Sequence, residues 1–203
     1  MRKINLVILF SGNGSNMQNI IQSFHNKEFV QDSKKNVITN ITSCVSNNPD
    51  AYGVFRCREL GIKCEILPHK DFKNREEFDK ALLGLVQRYS PDLVILAGFM
   101  RILTPVFTSQ IKCINIHPSL LPQHKGANAI KDTYDSDDEQ GGVSVHWVND
   151  VLDGGEIILQ DSIPKISGES FESFEKRIHS LEYSLYPQAI LQVLNLTSVI
   201  KNG

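Results

Sequence analysis

The sequence predicts an α/β fold with a doubly wound, mostly parallel sheet, a C-terminal β-hairpin and a long final helix. In the first half, short apolar runs alternate with stretches of helical periodicity, and the connections between them are short. Residues 93–97 form a continuous apolar run, which is typical of a strand buried on both faces. The 203 residues are 41% hydrophobic, enough to bury the core of a single domain over residues 1–203.

The first half supplies the parallel part of this sheet. Strands are predicted at residues 4–10, 37–45, 62–67 and 93–97. Helices are predicted between them, at about residues 16–26, 51–60 and 75–89. The last of these helices has apolar side chains at helical spacing, and Ser90-Pro91-Asp92 ends it.

The second half has a different character. Residues 128–140 are polar and acidic, which predicts a helix followed by a surface loop. Residues 143–148 and 156–163 predict two strands joined as a hairpin by a turn longer than the minimal two residues. A helix is predicted from residue 170 to about 196, and Pro187 is expected to kink or break it.

Composition excludes several classes of function. The formal net charge of −2 and the pI of 6.3 lack the basic excess of nucleic-acid-binding proteins. No stretch approaches the roughly 20 apolar residues of a membrane span. The basic start, Met1-Arg2-Lys3, runs into the first strand without a signal-peptide cleavage site. The cysteines, which do not have the spacing of zinc ligands, are Cys44, Cys57, Cys64 and Cys113. We therefore expect a reduced, cytoplasmic protein with small-molecule partners and no metal.

The most informative segment is I-K-C-I-N-I-H-P-S-L-L-P at residues 111–122. Because strand side chains alternate between faces, Asn115 and His117 are expected on one face, with Ile114 and Ile116 in a core on the other. Pro118 cannot donate to a strand ladder and should end the strand there. Ligands of open α/β sheets bind at this end, although the two side chains could equally serve only loop backbone.

A glycine-rich turn follows the first strand at residues 11–16, S-G-N-G-S-N. Such a turn before a helix N-terminus is suited to a phosphate. Ser15 with Gln18 three residues later predicts a capping box. Met17 replaces the third glycine of the dinucleotide motif, and the P-loop Lys-Ser/Thr pair is missing, so a monophosphate is favoured over NAD or ATP. A capped turn without a ligand is the alternative.

Asp153 lies in the turn of the predicted hairpin, where it could be only a turn former. If the hairpin packs beside Asn115 and His117, the carboxylate would favour the charged imidazole. An amide N–H and a charged imidazole aimed at one point stabilise an oxyanion, which suggests direct acyl transfer to an amine. His146 could reach the same site or be structural. His179 and Glu182, one helical turn apart, could contact substrate or form a plain helix-face pair.

Five segments together resemble the phosphoribosylglycinamide formyltransferase family. They are S-G-N-G-S-N, L-A-G-F-M-R-I-L, I-N-I-H-P-S-L-L-P, S-V-H-W-V and L-D-G-G-E-I-I-L-Q, in the family's order between about residues 4 and 187. The resemblance implies a formyltransferase fold with a Rossmann-like first half. It also implies transfer of the formyl group of 10-formyltetrahydrofolate, as co-substrate, to the amine of glycinamide ribonucleotide in purine synthesis.

The resemblance also implies site residues by motif position. The catalytic trio would be Asn115, His117 and Asp153. The ribonucleotide would be bound by Gly12, Asn13, Gly14, Ser15, Asn16, His179 and Glu182. The folate would be bound by Arg75, Met100, Arg101, Ile102, Leu103 and Asn115, and by the turn residues Asn149, Asp150, Val151, Leu152 and Asp153.

The sequence departs from the family pattern after Leu121-Pro122. The family carries an aromatic residue and a G-x-H-x-H stretch there, whereas this chain has His124 and then G-A-N-A-I at residues 126–130. Alternatives to the transferase are a formyltetrahydrofolate deformylase-like hydrolase, a formyl-methionyl-tRNA-forming enzyme, and a non-catalytic folate- or nucleotide-binding module. The first two would need an extra N-terminal or tRNA-binding domain, respectively. A monomer and a homodimer are both compatible with the sequence.

Overall fold

The computed structural model describes residues 1–32 and 34–199. Within these residues the strands are β1 (Arg2–Phe10), β2 (Lys27–Gln31), β3 (Lys35–Ser46), β4 (Cys64–Ile66), β5 (Leu93–Leu96), β6 (Cys113–His117), β7 (Gln140–Trp147), β8 (Ile157–Pro164) and β9 (Leu196–Ser198). The helices are α1 (Ser15–Phe24), α2 (Tyr52–Glu59), α3 (Arg75–Gln87), α4 (Pro105–Thr108), α5 (Ala129–Asp135) and α6 (Phe171–Val193), with a 3₁₀ turn at His69–Asp71.

The strands form one sheet in the order β8-β7-β6-β5-β1-β3-β2-β9, with β4 also paired to β3. The centre is parallel, because β1 pairs with β3 and β5, and β5 pairs with β6. Both ends are antiparallel, and β7 and β8 form the predicted hairpin beside β6. The predicted α/β fold class is therefore confirmed.

Strand β1 is buried on both faces and divides the core into two layers. Its even-numbered apolar residues, with Ile114 and Ile116 of β6, pack in the layer that contains α1 and α6. Val7 and Leu9 pack in the other layer, against α3. This double layering explains why residues 6–10 of β1 and the whole of β5 are continuously apolar in the sequence. In residues 1–32 and 34–199, no helix has the length and apolar character needed to cross a bilayer.

Helix α1 begins differently from the prediction. Its N-cap is Gly14, with φ of 76°, and no side chain caps the helix, so the predicted Ser15–Gln18 capping box is wrong. The backbone N–H of Gln18 instead donates to the carbonyl oxygen of Gly14 at 2.9 Å. The Gln18 side chain accepts a hydrogen bond from Arg56. The glycine at the cap permits the left-handed backbone that lets the chain turn into the helix.

Helix α6 runs through Pro187 without ending, so the expected break is absent. A proline inside a helix leaves the carbonyl four residues earlier without its N–H donor. That carbonyl belongs to Tyr183, and it accepts a hydrogen bond from Nδ2 of Asn19 on α1 at 2.9 Å. Another helix thus supplies the missing donor and joins α6 to α1.

Candidate active site

Asn115 and His117 lie at the carboxyl end of β6, which is flanked by β5 and β7. Both side chains point away from the layer that contains Ile114 and Ile116, as strand alternation requires. The strand ends at His117, immediately before Pro118. The structure therefore places an amide and a buried imidazole side by side at the carboxyl end of the strands, where ligands of this fold class bind.

Asp153 reaches this place from the connection between β7 and β8. Its Oδ2 atom lies 3.5 Å from Nδ1 of His117, and its Oδ1 atom lies 3.7 Å from Nε2 of His146. The backbone N–H of Gly126 donates to the same Oδ2 atom at 3.0 Å. Asp153 also has a positive φ of 47°, a conformation that aspartate tolerates better than most residues. The carboxylate thus faces two imidazoles while it is largely out of water.

His146 belongs to this cluster, a placement that the sequence left open. Its Nδ1 atom donates to the carbonyl oxygen of Trp147 at 2.8 Å, so its Nε2 atom faces Nδ2 of Asn115 at 3.2 Å. Burial lowers the pKa of His146, which keeps the ring neutral and makes Nε2 a hydrogen-bond acceptor. Asn115 consequently donates one amide hydrogen to His146, and its second amide hydrogen remains for another partner.

Close packing at Gly155 supports the His146 contact. A Cβ atom on Gly155 would lie 1.6 Å from the carbonyl oxygen of Trp147, the same oxygen that His146 contacts. The Trp147 N–H also donates to the carbonyl of Glu156 at 2.9 Å. Only glycine lets the β8 side of the hairpin approach β7 this closely, so the L-D-G-G segment is required for packing as well as for the turn.

The glycine-rich turn is held by α2. The Gly53 N–H donates to the carbonyl of Gly12 at 3.0 Å, and a Cβ on Gly14 would lie 2.8 Å from the Gly53 Cα. Arg56 donates from Nε to the Asn13 carbonyl at 2.9 Å and from a terminal nitrogen to Asn13 Oδ1 at 2.8 Å. Sequence patterns gave no reason to single out Arg56.

Two further predicted residues lie near the start of α1. Ser15 is its first residue, and the Oδ1 atom of the next residue, Asn16, is buried without a hydrogen-bond partner. His179 and Glu182 lie on α6, with 2.6 Å between Nδ1 and Oε2. The hydrogen bond that Glu182 accepts from His179 raises the pKa of His179. The Asn19–Tyr183 bond places Glu182 one residue from the junction with α1.

The segment after β5 contacts the glycine-rich turn. The Met100 N–H donates to Oγ of Ser11 at 2.7 Å, and Ser11 Oγ donates to Asn47 at 2.6 Å. The Met100 side chain is 67% exposed, whereas Leu103 is buried in the core. Arg75 donates to the carbonyl oxygen of Ile102 at 2.8 Å and fixes that part of the segment. Arg101, partly buried, lies between these two anchored residues.

The connection before Asp153 presents apolar side chains to solvent. Val151 is 56% exposed and Leu152 is 44% exposed. Asn149 Oδ1 accepts from the Val151 N–H at 2.9 Å, and its Nδ2 donates to the Gly154 carbonyl at 3.3 Å. The exposed Asp150 lies between Asn149 and Val151 in the chain. An internally bonded turn therefore displays two apolar side chains next to the buried carboxylate.

Comparisons with known proteins were consistent with one another. The sequence profile of the formyl transferase family, Formyl_trans_N, matches residues 4–190. The chain is 41% identical over 190 residues to phosphoribosylglycinamide formyltransferase of Escherichia coli strain K12, covering 92% of this chain and 85% of that protein. The Haemophilus influenzae enzyme of that name is 38% identical, over 94% of this chain and 86% of the relative.

Solved structures show the same likeness in three dimensions. The crystal structure of phosphoribosylglycinamide formyltransferase from Campylobacter jejuni superposes with a TM-score of 0.88 and 46% sequence identity. That likeness covers 94% of this chain and 97% of the other chain. The arrangement of strands and helices described above is therefore shared with solved enzymes.

Proposed function

The chain belongs to the formyl transferase family, and we infer that it transfers the formyl group of 10-formyltetrahydrofolate to the amine of glycinamide ribonucleotide in purine biosynthesis. The formyl folate is a co-substrate in this family. The single observation that carries the mechanism is the convergence of Asn115, His117, His146 and Asp153 at the carboxyl end of β6. The hydrolase, the tRNA-formylating enzyme and the non-catalytic module are not favoured by the relatives.

The proposed reaction is a direct attack. The amine nitrogen forms a bond to the formyl carbon, and the bond from that carbon to N10 of the folate breaks. One proton leaves the amine and one reaches N10, through Asp153 or a water beside it. The oxyanion that forms on the formyl oxygen would be stabilised by the second amide hydrogen of Asn115 and by the positive charge of a protonated His117 ring. Asp153 lies where its negative charge compensates the charge of a protonated His117 ring.

The glycine-rich turn is the proposed ribonucleotide site, formed by Gly12, Asn13, Gly14, Ser15 and Asn16. Backbone N–H groups at the start of α1 suit the phosphate. The unpartnered Oδ1 atom of Asn16 can only accept a hydrogen bond, so it suits a substrate hydroxyl or amine and not the phosphate. His179 and Glu182 are proposed to contact the ribonucleotide from α6, which the Asn19–Tyr183 bond holds against α1.

The folate is proposed to lie between two apolar surfaces that flank Asn115. One is the segment Met100, Arg101, Ile102 and Leu103, with Arg75 fixing its backbone. The other is the turn Asn149, Asp150, Val151, Leu152 and Asp153. The exposed Met100, Ile102, Val151 and Leu152 side chains offer apolar contact area to a flat ring system.

A turnover assay with and without glycinamide ribonucleotide tests this function. We expect tetrahydrofolate to appear from 10-formyltetrahydrofolate only when the ribonucleotide is present, with one formylated ribonucleotide per folate released. Equal folate release without the ribonucleotide would instead identify a hydrolase, and folate binding without turnover would identify a binding module. A cytoplasmic location and a monomeric or homodimeric state are also proposed, and sedimentation of the purified chain tests the latter.

A further inference from the structure

We propose that residues 124–126, called here the positioning loop, hold the His117–Asp153 pair through backbone contacts, and that the hydrogen bond between His124 and Asp138 fixes this loop. The proposal rests on the proposed function for the role of the pair in turnover. It concerns the part of the chain that departs from the family's G-x-H-x-H pattern. His124 and Asp138 are positioning residues, since neither side chain contacts His117 or Asp153.

The loop contacts both members of the pair. Nε2 of His117 lies 2.8 Å from the carbonyl oxygen of His124, and a carbonyl can only accept, so Nε2 carries a hydrogen. This bond turns Nδ1 of His117 towards Oδ2 of Asp153, at 3.5 Å. The Gly126 N–H donates to that same Oδ2 atom at 3.0 Å. One short loop therefore fixes the orientation of the imidazole and the position of the carboxylate.

The backbone of the loop is not in a conformation that it would adopt unaided. His124 has φ of 49° and Gly126 has φ of 94°, both in the left-handed region. For a residue other than glycine this region costs about 1–2 kcal/mol. The conformation persists only where surrounding contacts over-determine it. The loop thus requires an anchor outside the pair that it positions.

The anchor is the His124 side chain. Its Nε2 atom lies 2.6 Å from Oδ2 of Asp138. Oγ of Ser136 also donates to this oxygen, at 2.9 Å. The hydrogen bond from His124 lowers the pKa of Asp138, with a smaller contribution from Ser136, so the carboxylate is charged at neutral pH. His124 and Asp138 are both partly exposed, so their substitution removes the anchor without opening the core.

The test compares two neighbouring side-chain pairs, His124–Asp138 and Lys131–Asp135. Asp138→Ala removes the anchor, whereas Asp135→Ala removes the exposed Lys131–Asp135 pair, whose atoms lie 2.8 Å apart and which does not contact the loop. For Asp138→Ala we expect kcat to fall about tenfold, with KM for both substrates and Tm almost unchanged, because displaced catalytic groups slow the chemical step more than binding. Asp138→Asn keeps an oxygen acceptor for His124 and should recover most of the lost kcat.

A second readout does not depend on the reaction. Hydrogen exchange of the Gly126 amide should be faster in Asp138→Ala than in the wild type and unchanged in Asp135→Ala. Wild-type exchange and wild-type kcat in Asp138→Ala would each overturn the proposal, and so would an equal loss of kcat in Asp135→Ala. If the wild type does not transfer formyl groups at all, the proposed function fails, and the exchange result still decides whether the His124–Asp138 hydrogen bond holds the loop.

Discussion

Oδ2 of Asp153 lies 3.5 Å from Nδ1 of His117, and the two side chains are only 7% and 6% exposed. A carboxylate from the β7–β8 connection thus meets an imidazole from β6 at a place that water barely reaches. Electrostatic interactions are stronger in such surroundings than at the surface. The pair can therefore stabilise charge that develops on a bound substrate, provided that its geometry is held in advance.

Gly155 is predicted to be essential for packing. Gly155→Ala places a methyl group on the Trp147 carbonyl and should lower the free energy of unfolding by about 3 kcal/mol, the upper part of the usual range for overpacking. Gly84→Ala is the matched control, because a Cβ there meets nothing within 4 Å and alanine favours the helix α3. Urea denaturation measures the free energy of unfolding of both variants. A Gly155→Ala protein as stable as the wild type would contradict the packing at the His146 contact.

Tyr186 is predicted to fix α6 beneath the candidate active site. Its buried hydroxyl is shared between the carbonyl of Leu96, at 2.8 Å, and that of Ile114, at 3.2 Å. Tyr186→Phe leaves these carbonyls without this donor and should cost about 1–3 kcal/mol of unfolding free energy. Tyr52→Phe, on the exposed face of α2, should change it by less than about 0.5 kcal/mol. Equal stability changes in the two variants would refute the role assigned to Tyr186.

The His179–Glu182 pair should make stability depend on pH. The hydrogen bond that Glu182 accepts from His179 raises the pKa of His179 above its ordinary value of 6.5. The stability from this pair is therefore fully present below 6.5 and is lost as the pH rises through the raised value. His179→Gln should lower Tm more at about pH 5.5 than at about pH 9. A larger decrease in Tm at the higher pH would contradict the predicted direction of this pH dependence.

Arg56 is predicted to hold the proposed ribonucleotide site in shape. A lysine cannot reproduce the planar fork that reaches Asn13 and Gln18. Arg56→Lys should raise KM for glycinamide ribonucleotide about tenfold, equivalent to about 1.4 kcal/mol, and change KM for the folate little. Arg58→Lys, on the exposed side of α2, is the control for initial-rate kinetics. An increase in KM for the folate alone would contradict the assignment of Arg56 to the proposed ribonucleotide site.

Local sequence patterns predict those parts of the molecule that depend only on neighbouring residues. Strand alternation put Asn115 and His117 on one face, and Pro118 marked the end of β6. The partnership of Asn115 with His146 could not be obtained in that way. It depends on the antiparallel register between β6 and β7, which pairs Asn115 with His146, 31 positions apart in the chain. Nothing in either strand alone specifies that register.

Three further differences from the predicted elements have separate physical causes. Pro187 does not end α6, because Asn19 from a distant helix satisfies the carbonyl that the proline leaves free. Strand β2, which lies between β3 and β9, was not predicted, because Phe29 is its only fully buried residue and the alternation of buried and exposed side chains is correspondingly weak. The predicted capping box does not form, because Gly14, and not Ser15, occupies the N-cap position of α1.

The most direct test of the mechanism is the turnover of Asp153→Asn. The variant keeps the shape of the side chain and removes its charge, so kcat for formyl transfer should fall by at least about 10²-fold. Tm should change by less than about 3 °C. Asp161→Asn, on the exposed part of β8, should keep wild-type kcat. Wild-type turnover by Asp153→Asn would contradict the central claim that this carboxylate acts with His117 in the reaction.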